Sequence, residues 1–447
     1  MPVIVGPVVG KVTSTTARVL FTTSSKSDAV LTTTAANGHS NQATFTAEPN
    51  QPTVVELKAL QPDTRYVLQF AGIECPVVGS FKTFPTTPTE LNVGAVSCNF
   101  ASRKGTTDLW KDLYERYVRH GTLDLLLHVG DQVYGDAAFA EATNILGTRK
   151  KGTATQEKQI LNLYRRLYLW NWGLESTRTV LANVPNLMIW DDHETRDDWG
   201  SLPEDSDQGG QAHYIGSLAR RVYREYQRQL WDDLHDPGSD ELEDHYHTWG
   251  TIGVVFIDQR GGRSFDVDPR RPYLGTKQWD RLRTALNTGV LKDVRALIVV
   301  TSVPLCYLGA AFGNTLVFRG DDRADHWSYA KNRQEQVEMI RLLRQWKAAG
   351  NREVIVVGGD VHVGCKTDIK HQGNTVFKQL ITSPITNKPP HDIAFLFMKA
   401  ALELDQRVSD SYSFEHYDYT NDRNFGIILI RGANGQPHIE GSLFTGS

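Results

Sequence analysis

Acidic and imidazole side chains follow several apolar runs of this sequence, each at the point where a strand would end. Asp131 comes after "LDLLLHVG", Asp192 follows "NLMIWD", and both Asp360 and His362 follow "VIVVGG". In open α/β folds, sites lie beyond the carboxyl ends of strands, so these side chains converge if their strands share one sheet. Converging carboxylates repel one another and are costly to bury without a cation. The pattern therefore predicts a metal cluster.

Further reactive side chains stand at the same kind of position. Cys98 and Asn99 end the run "LNVGAVS", Tyr134 lies three residues after Asp131, and Arg260 follows "VVFIDQ". Taken singly, most of these features have an ordinary explanation. The Gly-Asp pair at 130–131 could be a turn, Cys98 a core residue, Tyr134 a packing residue, and Arg260 part of a surface salt bridge. Their coincidence at consecutive strand ends favours a functional site.

The elements that would position these residues begin at Leu91. Apolar strand-like runs alternate there with amphipathic stretches, and the predicted helices cover residues 106–120, 156–172, 212–234 and 333–350. Such alternation is typical of a layered α/β domain with helices on the sheet faces. The runs "NTVFKQLITSP" and "NFGIILIRG" suggest a second sheet. We therefore expect two packed β-sheets flanked by helices.

Residues 1–84 have a different pattern. Short Val- and Thr-rich runs separated by Gly, Pro and Asn predict an all-β unit. The segment "LQPDTRYVLQF" resembles the tyrosine corner of a fibronectin type III domain, where the tyrosine hydroxyl bonds to nearby backbone. With a linker at 85–90, the predicted domains are residues 1–88, small and fibronectin III-like, and residues 89–447.

Composition limits the possible binding partners and cellular location of the protein. The 447 residues carry a formal charge of −4, which gives no broad electrostatic reason to bind nucleic acid as a structural partner. No apolar run reaches about 18 residues, so we expect no membrane span. The four cysteines fit neither a disulfide scaffold nor a CxxC zinc pair. Because no signal peptide is recognised, we expect a cytoplasmic monomer, or an extracellular or periplasmic protein if an export signal was removed.

The motif order identifies a resemblance. The segments GD, DDHE and GDVH, at residues 130–131, 191–194 and 359–362, resemble the calcineurin-like metallophosphoesterase superfamily. Three segments depart from the usual motifs of that superfamily, namely "SCN", "WDDHE" and "GDVH". Together with Tyr134 after the GD motif and the segments "DQRGGRS" and "DHWSYAKNR", they resemble its alkaline phosphatase D (PhoD-like) family. The resemblance covers nearly the whole chain and implies that family's four-layer sandwich of two sheets and flanking helices.

The resemblance also implies ligands. Asp131 matches an aspartate that bridges two metal positions, and Cys98 and Tyr134 match ligands of a ferric ion, with His362 as their imidazole partner. Thiolate and phenolate suit such a metal better than magnesium or calcium. Residues 299–305 lack the superfamily's lone histidine. Asp131, Asp192 and Asp360 then form an oxygen-rich site for calcium, with magnesium, manganese or zinc as substitutes.

The expected activity is hydrolysis of small-molecule or polymer phosphate esters by metal-activated hydroxide. His193 would stabilise the transition state or protonate the leaving alkoxide. Arg260 would neutralise a phosphoryl oxygen. Asn99 would contact substrate or orient Cys98. Asp197 replaces an asparagine of the family pattern, and would bind a metal or repel the substrate anion.

Other readings stay open. The same centre would serve a phosphodiesterase acting on nucleotides, phospholipid head groups or polymer diesters. A non-catalytic binding protein that uses the β domain is a third alternative. Asp325, His326 and Tyr329 could line the pocket, although an N-terminal cap is the simpler role for Asp325. We interpret His245 and His247 as surface or packing residues.

Overall fold

The computed structural model describes residues 2–100, 109–234, 241–263, 273–311 and 325–446. The first residues of the helix predicted at 106–120 lie outside these ranges, as do residues 319–324 of the loop expected before Asp325. Within the described residues, the strands form four sheets.

The N-terminal region is all-β, as predicted, and consists of two antiparallel sheets. One contains β1 (Val3–Val12), β2 (Ala17–Thr23) and β5 (Pro52–Leu57). The other has the order β4-β3-β6-β7, with β3 at Ser27–Ala35, β4 at Ser40–Ala47, β6 at Arg65–Ala71 and β7 at Ser80–Lys82. The Tyr66 hydroxyl accepts a hydrogen bond from the Gln61 backbone N–H at 2.9 Å. The expected tyrosine contact is therefore present.

The third sheet has five strands in the order β10-β9-β8-β18-β19. Strands β8, β9 and β10 are parallel, whereas β18 is antiparallel to both β8 and β19. The bounds are Leu91–Val96 for β8, Leu125–Val129 for β9, Asn186–Ile189 for β10, Asn424–Arg431 for β18 and His438–Thr445 for β19.

The fourth sheet has seven strands in the order β11-β12-β13-β14-β16-β15-β17. Its central strands β12, β13, β14 and β16 are parallel. The bounds are His245–Trp249 for β11, Ile252–Ile257 for β12, Ala296–Thr301 for β13, Glu353–Gly358 for β14, Gly364–His371 for β15, Asn374–Ile381 for β16 and Tyr412–Thr420 for β17.

These two sheets pack face to face. Val93 and Val129 of the five-stranded sheet share one hydrophobic core with Val254, Ile298 and Val357 of the seven-stranded sheet. The prediction of two packed sheets is confirmed. The two late runs do not form a sheet together, because β16 joins the seven-stranded sheet and β18 the five-stranded one.

Helices cover the outer faces. Leu282, Met339 and Leu343 pack on Val299 and Val356 of the seven-stranded sheet. The helices are α1 (Trp110–Leu113, continued by a π turn at Tyr114–Val118), α2 (Asp136–Leu146), α3 (Ala154–Asn171), α4 (Glu175–Leu181), α5 (Pro203–Ser206), α6 (Gln211–Tyr226), α7 (Thr276–Asn287), α8 (Arg333–Ala348) and α9 (Asp392–Leu404). Among the described residues, no helix has the length and apolarity to cross a membrane.

Candidate metal centre

The carboxyl ends of parallel strands from both sheets meet at one place. Gly130, just after β9, shows how closely they approach: a Cβ atom there would lie 2.7 Å from the Cβ of Asp191 and 3.2 Å from that of Ser302. Its φ of +89° also favours glycine. The glycine therefore lets the loops after β9, β10 and β13 come together.

Four aspartates converge at this meeting point. Asp131, Asp191, Asp192 and Asp360 each offer a carboxylate oxygen, and these oxygens lie within 4.8 Å of one another. Asp131 is 1% exposed and Asp192 3%. One oxygen each of Asp131 (Oδ1), Asp191 (Oδ2) and Asp192 (Oδ1) is buried without a hydrogen-bond partner. Buried carboxylate oxygens are rarely left unsatisfied, so this donor set fits a divalent cation.

The electrostatics agree with the geometry. Burial, reinforced by Asp192 and Asp191, raises the pKa of Asp131 well above its usual range. Burial and the same two neighbours also raise the pKa of Asp360. Carboxylates in this state need a positive charge among them to stay ionised.

The second oxygen of Asp131 faces a different set of donors. The Cys98 Sγ and the Tyr134 hydroxyl each lie 3.4 Å from Asp131 Oδ2. Cys98 is fully buried, and its Sγ is 3.1 Å from the Ser383 hydroxyl. Burial followed by the charge of Asp131 raises the pKa of the Cys98 thiol. The two oxygens of Asp131 thus separate a thiol and phenol side from a carboxylate side.

His362 approaches the thiol and phenol side through one amide. The Asn387 Nδ2 lies 2.7 Å from the Tyr134 hydroxyl and 3.2 Å from His362 Nε2. The Asn387 backbone N–H also donates to the Cys98 carbonyl at 3.1 Å. Asn387 was not predicted, since it follows β16 by several residues and ends no apolar run.

Four of the six predicted ligands share an unusual backbone conformation. Cys98, Asp131, Asp360 and His362 have φ values of +53°, +55°, +64° and +54°. Non-glycine residues rarely adopt this left-handed region, and each costs of order 1–3 kcal/mol. Such strain concentrates at functional sites, where surrounding contacts hold it in place.

His193 stands beside the aspartates. One of its ring nitrogens lies within 4.8 Å of ligand atoms of Asp131 and Asp192. Its Nδ1 is 3.0 Å from Asp136 Oδ2, and its Nε2 is 3.6 Å from Asp197 Oδ1. Burial alone would lower the pKa of His193, but Asp192, Asp131 and Asp136 raise it well above its ordinary value.

Arg260 is fully buried, so the alternative of a surface salt bridge is wrong. Its Nε donates to Asp191, and its Nη1 donates to Asp325 at 3.0 Å. Its Nη2 lies 3.4 Å from Asp192 Oδ1 without a hydrogen bond. The guanidinium therefore braces the aspartate pair that follows β10.

Three other predicted residues have different surroundings. The Asn99 Oδ1 accepts from Trp110 and Thr386, whereas its buried Nδ2 has no partner. The Asp197 side chain is 70% exposed. Asp325 pairs with Arg260 and Arg263 instead of making the expected capping contact.

His245 and His247 lie away from the centre, on β11. The two rings are buried, and His245 stacks between Trp231 and Phe256. The packing interpretation holds for both.

Glu194 holds the loops that carry the aspartates through hydrogen bonds, and it was not predicted. Its carboxylate accepts hydrogen bonds from the backbone N–H groups of Gln132 at 2.7 Å, Asp191 at 2.8 Å and Asp131 at 3.2 Å. The Gln227 side chain donates to it as well, at 2.8 Å. Glu194 therefore fixes the loops after β9 and β10 relative to each other.

Comparison with known proteins gives a consistent picture. A family model described as PhoD-like phosphatase matches residues 93–440. The uncharacterized protein YGR266W of Saccharomyces cerevisiae is 23% identical over 449 residues, covering 77% of this chain and 62% of that protein. The chain thus spans less than two thirds of that relative.

Solved structures match the fold. The structure of PhoD has a TM-score of 0.71 and 15% identity, covering 99% of this chain and 90% of the other. GAP50, the anchor in the inner membrane complex of Plasmodium, has a TM-score of 0.40 and 10% identity, covering 79% of this chain and 84% of the other. The first match supports the mixed α/β architecture.

Proposed function

The chain belongs to the PhoD-like phosphatase family, and from this premise we propose that it hydrolyses phosphate esters at a metal centre built on Asp131. The observation that carries the proposal is the buried aspartate cluster, in which three carboxylate oxygens have no hydrogen-bond partner. A cation-binding site is the simplest physical account of such a cluster.

The two sides of Asp131 would hold different metals. Cys98, Tyr134 and Asp131 would bind a ferric ion, because thiolate and phenolate favour a strongly Lewis-acidic metal. His362 adjoins this side. Asp131, Asp192 and Asp360, joined by Asp191, would bind calcium, with magnesium, manganese or zinc as substitutes.

When bound, these cations would neutralise the phosphoryl oxygens and lower the pKa of water towards about 7. In the overall reaction, the oxygen of a water bonds to phosphorus, the bond from phosphorus to the leaving oxygen breaks, and the leaving oxygen gains a proton. His193 would give that proton, and its contacts with Asp136 and Asp197, which keep its ring beside the cluster, support this role.

Arg260 and Asn99 would act in support. Arg260 keeps Asp191 and Asp192 in place, and its Nη2, 3.4 Å from Asp192 Oδ1, adds positive charge next to the cluster. Asn99 donates its backbone N–H to the Asp131 carbonyl at 2.8 Å, which couples the loop of Cys98 to that of Asp131. Its partnerless Nδ2 leaves a donor for substrate.

The test is metal content measured together with hydrolysis. Asp131→Asn should remove iron and calcium and lower turnover of a chromogenic phosphate ester by about 10³-fold, because both metal positions lose their shared ligand. Asp280→Asn, an exposed aspartate of α7, is the matched control. Full metal content and full turnover in Asp131→Asn would refute the proposal.

The preferred ester class needs its own measurement. A phosphomonoester and a phosphodiester of the same chromogenic alcohol, compared by kcat/KM, separate a phosphatase from a phosphodiesterase. The ratio of the two values assigns the activity directly.

A further inference from the structure

A cavity of about 280 Å³ adjoins the metal centre and has no part in holding the metals. Tyr134 belongs to both: its hydroxyl faces Asp131 and its ring lines the cavity. The other walls are largely apolar or aromatic and include Phe100, Leu163, Leu167 and Trp170, with Arg166 contributing a positive charge.

We propose that this cavity binds an aromatic ring of the ester's leaving group, so that the substrates are phosphate esters of aromatic or arylmethyl alcohols. The inference rests on the proposed hydrolysis and specifies its substrate class. Ligand pockets are mostly apolar with a few polar groups, and this volume lies just below their usual range of about 300–1,000 Å³. It suits one ring system and not a polymer segment.

Trp170 is the main observation. Its side chain is among the exposed large hydrophobic groups, at 61% exposure, although tryptophan normally buries most of its surface. An exposed indole beside a cavity next to a catalytic centre marks a surface that a ligand would cover. In the part of the chain described here, Arg166 forms no ion pair, so its guanidinium can lie over the bound ring.

A line of aromatic rings connects this cavity to the proposed proton donor. The ring centroids of Phe100 and Tyr134 are 4.6 Å apart, and those of Tyr134 and His193 are 4.2 Å apart. Since His193 would protonate the leaving oxygen, the organic group on that oxygen lies on the side of Tyr134. The cavity is the space that this group enters.

The cavity wall is fixed to the ligand loops. Asn171, at the end of α3, donates from Nδ2 to the carbonyls of Asn99 and Gln132, each at 3.3 Å. Trp170 and Leu167 are on the same helix. The distance from the stacking surface to Asp131 is therefore set by hydrogen bonds, which gives the cavity a defined relation to the scissile bond.

The experiment compares three monoesters of primary alcohols: benzyl phosphate, cyclohexylmethyl phosphate and methyl phosphate. We expect Trp170→Ala to lower kcat/KM for benzyl phosphate by about tenfold, because ring stacking is lost, and to leave methyl phosphate within about twofold. Cyclohexylmethyl phosphate should fall by about threefold. Trp170→Phe should restore most of the loss, and Lys158→Ala, an exposed residue of the same helix outside the cavity, should change none of the three.

Each outcome is decisive. Equal losses for all three esters, or no loss, overturn the cavity assignment and leave the proposed hydrolysis standing. A loss for cyclohexylmethyl phosphate as large as that for benzyl phosphate overturns the aromatic preference. If the wild-type protein hydrolyses neither these three monoesters nor the chromogenic phosphodiester, the proposed function fails. Calorimetric binding of benzylphosphonate, lost in Trp170→Ala, would then still support the cavity, and no binding would refute it.

Discussion

Glu243 and Asp131 are both buried carboxylates, yet their surroundings differ. The Glu243 oxygens are occupied by Arg224 Nε at 2.7 Å, Arg220 Nε at 3.0 Å and Arg228 Nη1 at 3.3 Å. Asp131 is surrounded by other acids and has a buried oxygen with no partner. Within one fold, three guanidinium groups satisfy Glu243, whereas in the second cluster the Arg260 guanidinium contacts Asp191 and Asp192, and the Asp131 Oδ1 has no hydrogen-bond partner.

The comparison gives a physical criterion for reading buried charges. A carboxylate satisfied by arginines belongs to the architecture, and breaking it costs stability. A carboxylate left unsatisfied among like charges costs stability as it stands, and is kept for what it binds. Substitutions in the arginine cluster should therefore lower stability and leave hydrolysis unchanged, whereas substitutions around the aspartate cluster should act on metal binding.

The largest effect is expected for Glu243→Gln. Removing the charge takes the shared carboxylate from the buried Arg224 and Arg228 and from the half-buried Arg220, and we expect a loss of about 3–5 kcal/mol in the free energy of unfolding, measured by urea denaturation. Hydrolysis per folded molecule should be unchanged. The matched control is Glu241→Gln: this neighbour also pairs with Arg228 but is 51% exposed, and its loss should cost less than about 1 kcal/mol. Equal losses in the two variants would remove the basis for the comparison.

A smaller effect is expected for Glu194→Gln, which alters the support of the metal centre and none of its ligands. The amide loses one acceptor and turns a donor towards the backbone N–H groups of Asp131, Gln132 and Asp191. Changes to groups that orient metal ligands typically reduce affinity by about 10–100-fold. Titration of chelator-treated protein with calcium or manganese measures this, with the exposed Glu175→Gln as control. Wild-type affinity in Glu194→Gln would show that the loops hold their positions without it.

The smallest effect is expected for His416, whose pKa is shifted by burial and not by a neighbouring charge. Burial lowers the pKa of His416 to about 4, while its ring contacts Thr367 and the Tyr307 carbonyl. The unfolded chain takes up a proton near pH 6.5 that the folded ring resists, so stability is present above that pH and is lost as the pH falls towards 4. Between pH 7.5 and 5.5 the loss from this residue should be about 1 kcal/mol.

The check is the dependence of unfolding free energy on pH. His416→Gln should have a flatter dependence than the wild type over this window, whatever its absolute stability. His120→Gln, at an exposed position, should follow the wild type. Parallel curves for His416→Gln and the wild type would contradict the assignment of the slope to this ring.

Much of the candidate site could be predicted because the end of each apolar run in the sequence marks the end of a strand. Asp131, Asp192 and Asp360 each follow a mainly apolar strand. The strands before Asp131 and Asp192 are parallel neighbours in the five-stranded sheet, whereas the strand before Asp360 lies in the seven-stranded sheet that packs on it. Asp192 was predicted as a ligand and Asp191 was not, although both lie in the cluster, because loop dihedral angles decide how many neighbouring side chains face one point. Glu194 and Asn387 were missed because their roles are hydrogen bonds between segments distant in the chain.

The fold was predictable to a similar depth. Alternating apolar and amphipathic segments predicted two sheets with helices outside, but α2, α4, α5, α7 and α9 were not recognised. Helix α2 begins at Asp136, in a stretch where no helix was predicted. Strands β16 and β18 pair with different sheets because of their tertiary neighbours, which the periodicity of apolar residues does not reveal.

The left-handed backbone at Cys98, Asp131, Asp360 and His362 has an evolutionary consequence. Asparagine or glycine would relax these positions, and replacing either aspartate would also relieve repulsion among the acids. Mutants selected only for heat resistance should therefore accumulate changes at these four positions and become inactive. Persistence of the original side chains under such selection would mean that a bound ion already offsets the strain.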